Sequence, residues 1–361
     1  MLKSLFSRSA KGAGKVASLY RPSTWREKGW IWRILLIVVS LLVLMLVAMF
    51  VFSREPSPIE AKDALIKHLP VEMIDENGEP TSAKTGAVMT AMTIHLIDSL
   101  QDKPWGYLSN DITPPGIIMD NMPEWEWGVL RNLRDLSKVF RNNFATSGSQ
   151  TKLDNDLAEV ENKLSINSEQ WMFPSPENAY DDAARALERY FYRIIDDDDS
   201  DAQFYARADN LRRFFRIVSP NLGSYSQRLS ESVGIEFENM SLAGESAAEQ
   251  SSPAPKKLFN KTSWWKIDNN FYEARGYAWA LLQEMRAVQA DFKAVLEDKN
   301  ATVYLQQLIR ELEATQKTVW SPVILNGNGF GIITNHSLVM ASYFSRANAI
   351  LIELTDLLER G

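Results

Sequence analysis

Five carboxylates crowd into Asp196-Asp197-Asp198-Asp199-Ser200-Asp201, a density of oxygen ligands that invites a calcium ion. A calcium loop also needs a glycine at its sharp turn and a bidentate glutamate near its end. The run has neither, so a solvated loop between helices is expected. Glu124-Trp125-Glu126-Trp127 sets two acids among two indoles, the makings of an acidic site beside a sugar platform. On a helix, residues two apart point to different faces, which spoils these acids as a general acid/base pair; in a first turn they serve the helix dipole. Asn326-Gly327-Asn328-Gly329-Phe330-Gly331 is glycine-rich but lacks a phosphate loop's lysine and follows no clear strand, so it reads as a turn.

The 361 residues include no cysteine and only His68, His95 and His336. Disulfides, iron–sulfur clusters, thiolate zinc sites and cysteine nucleophiles are excluded, and a histidine-rich metal site lacks ligands. Gly-x-Ser-x-Gly, His-Glu-x-x-His and Gly-x-x-x-x-Gly-Lys are all missing. Glu231-Ser232 and Glu245-Ser246 carry the dipeptide of lysozyme-like transglycosylases. The first lacks that family's downstream Gly-Leu-Met-Gln-like segment, and the second lies in low-complexity sequence. The expectation is a non-enzymatic protein without cofactor or metal, and a net charge of −7 argues against nucleic acid.

The elements that must position these residues are helices. Ser57-Pro58-Ile59-Glu60 offers a Ser N-cap with Pro first and predicts a helix with Leu65, Ile66 and Leu69 on one face. Further helices are predicted over about 82–100 and after Pro123, where Val129, Leu130, Leu133, Leu136, Phe140 and Phe144 form an apolar stripe opposite solvated Arg131, Arg134, Lys138 and Arg141. Leu153–Leu164 continues the pattern, Ser175-Pro176 caps the next helix, and another stops at Ser219-Pro220 before a short one over 222–233. Residues 269–297, 300–318 and 337–359 close the set. Beyond one small hairpin within 71–80, no strand is expected, and the fold class is all-α.

Ile34–Phe52 holds 19 uncharged residues in which Ser40 is the only polar one. As a helix this run spans roughly 28 Å, the thickness of a bilayer core. It is longer than a signal peptide's apolar region and ends without a small-residue cleavage site. Trp30, Trp32 and Arg33 precede it, with Ile34 and Phe52 as its ends. Residues 1–33 carry eight basic residues and one acid, so the rest of the chain is strongly acidic. Basic flanks stay cytoplasmic, which predicts a bacterial inner-membrane protein with its amino terminus inside and its bulk in the periplasm. The predicted organisation is a basic head (1–33), a span (34–53), a helical region (54–238), a Ser/Ala/Glu/Pro-rich linker or loop (239–262) and a second helical region (263–361).

Trp105 precedes Gly116-Ile117-Ile118 at the spacing by which Trp320 precedes Gly331-Ile332-Ile333, and the two stretches reach Asp120 and Asn335 ahead of a helix. A common offset of 215 residues would make these related helix–loop–helix units; the alternative is two ordinary turns ending in N-caps. If they are related, Asp111, Asp120, Asn326 and Asn335 would line one surface about a pseudo-twofold axis. The candidate interaction surface comprises Trp105, Gly116, Asp120, Glu124, Trp125 and Trp127 in the first unit, and Trp320, Asn326, Gly331 and Asn335 in the second.

The basic Trp-flanked head, the single span, PEWEWGVLRNLRD (123–135) and GFGIITNHSLVMASYFSRAN (329–348) resemble an uncharacterised proteobacterial envelope family, domain of unknown function 2333. That resemblance implies no catalytic residue. The function expected is an envelope scaffold or interaction partner that contacts the lipid bilayer and other envelope proteins, with a homo-oligomer left open. The alternative is a cell-wall-directed enzyme or ligand-binding sensor with an acidic, aromatic cleft formed by an acid such as Glu124, Asp120 or Glu273.

Overall fold

The computed structural model describes residues 29–81, 84–146, 153–196, 198, 201–238, 257–321 and 323–360. The basic head before Gly29, most of the 239–262 linker and part of the aspartate run lie outside the described residues. The chain divides into two units, Met1–Ser53 and Arg54–Gly361. In the first, the apolar run is helix α1 (Trp30–Phe52), long and apolar enough to cross a membrane, and it already includes Trp30, Trp32 and Arg33. Ser40, its polar residue, turns its hydroxyl back onto the Leu36 carbonyl at 2.6 Å.

Among its described residues the second unit is all-α apart from one short ribbon and two isolated antiparallel bridges, Ile74–Pro80, within the segment expected to hold a hairpin, and Asn326–Asn335. Its helices are α2 (Ala61–His68), α3 (Ala87–Asp98), α4 (Asn121–Val139), α5 (Asn155–Leu164), α6 (Pro176–Ile195), α7 (Ala208–Ser230), α8 (Ile267–Asp291), α9 (Lys293–Asp298), α10 (Thr302–Thr315) and α11 (His336–Glu359). Helix α8 is the axis. It is buried nearly all round, its polar residues Glu273, Arg275, Gln283 and Glu284 included, and α3, α4, α7 and α10 pack against it. Residues 54–238 and 263–361 thus contribute to one core.

The tightest crossing is that of α4 on α8. A Cβ on Gly128 would stand 2.0 Å from the Glu273 carbonyl oxygen, and one on Gly276 would stand 2.0 Å from that of Trp125. Only glycine lets the backbones meet there. The two helices run the same way: Glu124 meets Asn269 near their starts, and the Trp125 ring lies 5.0 Å from that of Trp279, tilted by 59°. Antiparallel α7 and α11 pair along their length through Ser226 with Ala341 and Ser219 with Asn348. Antiparallel α5 and α6 are joined by Arg193 to Asp154 and Asp156, and by Lys163 to Asp182.

Several boundaries depart from the local signals, each for a nonlocal reason. Ser57-Pro58 starts no helix. Residues 55–60 form an extended strap along one face of α8, because Trp279 Nε1 donates to Pro56 O (2.8 Å), Ile59 N to Gln283 Oε1 (3.1 Å) and Arg286 to Ile59 O (2.9 Å). The side chains of α8 thereby satisfy the groups a helix would have used. At Pro220, α7 continues instead of stopping: the proline is exposed, and α11 packs along both halves of the helix. Phe292 breaks the predicted 269–297 helix because its ring joins Phe144 and Phe204 at 5.4 and 5.8 Å. Within the expected loop, Lys257–Asn260 (β2) pairs antiparallel with Ile235–Glu238 (β1), an unforeseen ribbon. Ser175 caps α6 with Pro176 first, as its sequence predicts.

Candidate functional site

The two units proposed as repeats share the starts of their helices. Helices α3 and α10 begin 215 residues apart. So do α4 and α11, and α4 with its π-helical extension Phe140–Phe144 matches α11 in length. Their loops differ. In the first, Trp125 is fully buried against Trp279, so it offers no contact surface, and Gly116 is buried above Asp111. Trp105 and Asp120 are exposed, and Asp120 lies close enough to Asp268 and Tyr272 for its charge to raise both pKa values, after burial.

In the second loop, Asn335 accepts from Leu338 N as N-cap and donates to Asn326 Oδ1 and Gly327 O, both at 2.7 Å. Asn326 donates to Ser232 O at 3.0 Å, tying the loop's base to the end of α7. Beyond that base, Phe330 and Ile332 are 102% and 106% exposed, with Gly331 between them. Asn326 and Asn335 are brought together; Asp111 packs beneath Gly116 in the other loop, and Asp120 stands exposed near Asp268 at the start of α8.

Beside this loop an apolar groove of about 460 Å³ opens between α8, the end of α10 and the start of α11. Phe271, Leu325, Val339, Met340 and Tyr343 line it, and Trp320, 92% exposed, stands at its edge. The groove's floor is rigid. Arg275 spends its guanidinium on Glu55 (2.7 Å) and on the Thr315, Gln316 and Lys317 carbonyls that end α10. These groups would otherwise be bare helix-end acceptors.

A second concavity of about 570 Å³ is lined by Glu124, Trp127, Arg134 and Ser165–Glu169. Arg134 lies 5.0 Å over the Trp127 ring, and Asn269 donates to Glu124 at 2.9 Å. Burial raises the Glu124 carboxyl, with Asn269 opposing. Glu273 does not face this space. It accepts from Tyr225 (3.0 Å), Arg131 (3.3 Å) and Arg228, so its oxygens are committed between α4, α7 and α8.

The arginines expected in water are staples: Arg131 to Glu273, Arg134 to the Leu164 and Ile166 carbonyls, and Arg141 to Glu161 at 2.8 Å. Sequence reading also missed the fully buried pair Lys103–Glu126 (2.8 Å), whose carboxylate accepts from Leu108 N and Ser109 N and so pins the first loop. The one available signal was Glu126 falling between buried positions of the α4 stripe. Glu284 is buried in the α4–α8 interface, and burial pushes its carboxyl well above the usual range, with Asn132 opposing. His95 faces Trp279 with Nε2 unpartnered, and burial lowers it to about 4, so it stays neutral. Among the described residues, no three Asp, Glu or His side chains gather to hold a metal ion.

No curated protein and no solved structure matches the chain. A family model described as an uncharacterized protein conserved in bacteria, domain of unknown function 2333 (DUF2333), matches residues 25–361, so the chain belongs to that family.

Proposed function

We propose that this family member is a non-enzymatic, single-pass inner-membrane protein whose helical domain lies in the periplasm and holds an apolar segment of another envelope protein in the Trp320 groove. The observation that carries this is the groove itself. It is concave, apolar and firmly floored, with a large aromatic side chain left exposed at its edge, as at binding hot spots. The basic head supports the orientation, since flanking lysines and arginines remain cytoplasmic. A photo-crosslinker replacing Val339 in living cells is expected to capture a reproducible envelope protein, and Trp320→Ala to abolish that capture. Crosslinks that ignore Trp320 would overturn the reading.

The second reading is a ligand-binding sensor or cell-wall-directed enzyme using Glu124. It is favoured by one observation: Glu124 and Trp127 share a cleft, and the carboxyl holds its proton more tightly than an ordinary glutamate. Binding of peptidoglycan fragments that is lost in Glu124→Gln and Trp127→Ala, with Val339 capture intact, would favour it over the docking reading.

A further inference from the structure

The end of the domain at which α8 begins gathers side chains of one character from three parts of the chain. Trp264 and Trp265 form the turn entering α8, with rings 5.1 Å apart and both exposed. Next to them in sequence, Phe259 is exposed on β2, and Thr262 N donates to Glu231 O at the end of α7. The same end of α7 holds the base of the 326–335 loop through Ser232, so Phe330, Ile332 and Ile333 project from this region. The turn Ile117–Ile118, also exposed, leads into α4, whose first turn meets that of α8 through Glu124 and Asn269.

The charge pattern here is unlike that of the rest of the domain. From Thr318 to Ser345 there is no charged residue, although the chain as a whole is acidic. The stretch from Lys257 to Lys266 carries Lys257, Lys261 and Lys266 among Phe259, Trp264 and Trp265, with no acid. Indoles beside lysines, together with fully exposed aliphatic tips on uncharged loops, are the chemistry of a surface that partitions into the headgroup layer of a bilayer. Lysines at a headgroup layer favour anionic lipids, here alongside Asp268, two residues beyond Lys266, and the β1 residues Glu236 and Glu238, in register with Phe259 and Lys257. A soluble surface of this kind would be left uncovered in water. Chain connectivity supplies the lipid: only Ser53 and Arg54 separate Phe52, the end of α1, from Glu55, which Arg275 holds on α8.

We propose that this end of the domain seats on an anionic phospholipid surface, with Ile332, Phe330 and the Trp264–Trp265 pair entering the headgroup layer and Lys261 and Lys266 meeting lipid phosphates. The proposal goes beyond protein docking and uses different side chains from the Trp320 groove.

The absence of native cysteine allows clean labelling of the full-length protein. A nitroxide is placed at Ile332→Cys, at Trp265→Cys and, as a reference remote from this end, at exposed Tyr192→Cys on α6. In vesicles of phosphatidylethanolamine and phosphatidylglycerol, accessibility to oxygen relative to a water-soluble nickel complex should be several-fold higher at the first two positions than at the third. Replacing phosphatidylglycerol by phosphatidylcholine, or making Lys261→Glu with Lys266→Glu, should reduce that ratio at least twofold. Equal, water-like values at all three sites would overturn the proposal. Shielding from both relaxants would also overturn it, by showing a second copy of the chain on the patch. Immersion indifferent to phosphatidylglycerol and to both lysine changes would overturn the anionic recognition. Helical circular dichroism of each variant shows whether it is folded.

Discussion

The α3–loop–α4 unit and the α10–loop–α11 unit agree in the placing of their helices and part company in what secures their loops. Shifted by 215 residues, Lys103 and Glu126 fall on Thr318 and Ala341, and Gly128 falls on Tyr343. The first loop is therefore bolted by a dry ion pair that Thr318 and Ala341 cannot form in the second, although the matching Trp105 and Trp320 are both exposed. Gly128 lets α4 meet α8 backbone to backbone, whereas Tyr343 lines the groove that lies between α8 and α11. The equally spaced helices end in different settings: α4 closes on α8 in a sealed interface, whereas α11 packs along α7 and leaves an apolar groove towards α8.

The largest effect should come from the buried pair. Lys103→Met strands the Glu126 charge and should cost about 3–5 kcal/mol in urea unfolding, whereas Thr318→Met should stay within about 0.5 kcal/mol. Similar losses at both positions would erase the contrast. Next, Gly128→Ala drives a methyl into the Glu273 carbonyl and should cost about 3 kcal/mol, while Tyr343→Ala, at an already open groove, should cost about 1 kcal/mol or less. A tolerated Gly128→Ala would show that the crossing is looser than described.

The smallest effect depends on pH. Burial raises the Glu284 carboxyl well above its usual value, so the folded state holds a proton that the unfolded chain releases. Below the unfolded pKa of about 4.3 both states are protonated and no penalty exists; stability is then lost as pH rises towards the folded value. Asp291, raised by burial to about 6 despite donation from Gly86 N and Met89 N, acts in the same direction. Glu284→Gln should leave stability unchanged near pH 4 and raise it at pH 8 by about 1 kcal/mol or more. An equal difference at both pH values would mean that Glu284 is ionised in the fold.

Much of the helical plan was legible because its signals are local. The Ser175-Pro176 cap, the Asn335 cap and the stripe from Val129 to Phe144 all appear where side-chain type and spacing put them. Of the candidate surface, Trp320, Asn326, Gly331 and Asn335 do form one loop region, whereas Trp125 belongs to the core. Nothing adjacent to Trp125 announces Trp279, and nothing near Ser57 announces that α8 will satisfy the strap's backbone. The arginines of α4 looked solvated because their acceptors, Glu273, Glu161 and the end of α5, lie far away in sequence.

From its residues alone this chain was bound to be helical and to carry, at Trp30–Phe52, a helix apolar enough for a bilayer, because helix hydrogen bonds reach four residues and a span needs only length without charge. Which tryptophan would be covered, which carboxylate would find a lysine and where an apolar groove would remain were decided only in the folded molecule. Burial and pairing depend on neighbours tens to hundreds of residues away, and a local pattern holds no record of them.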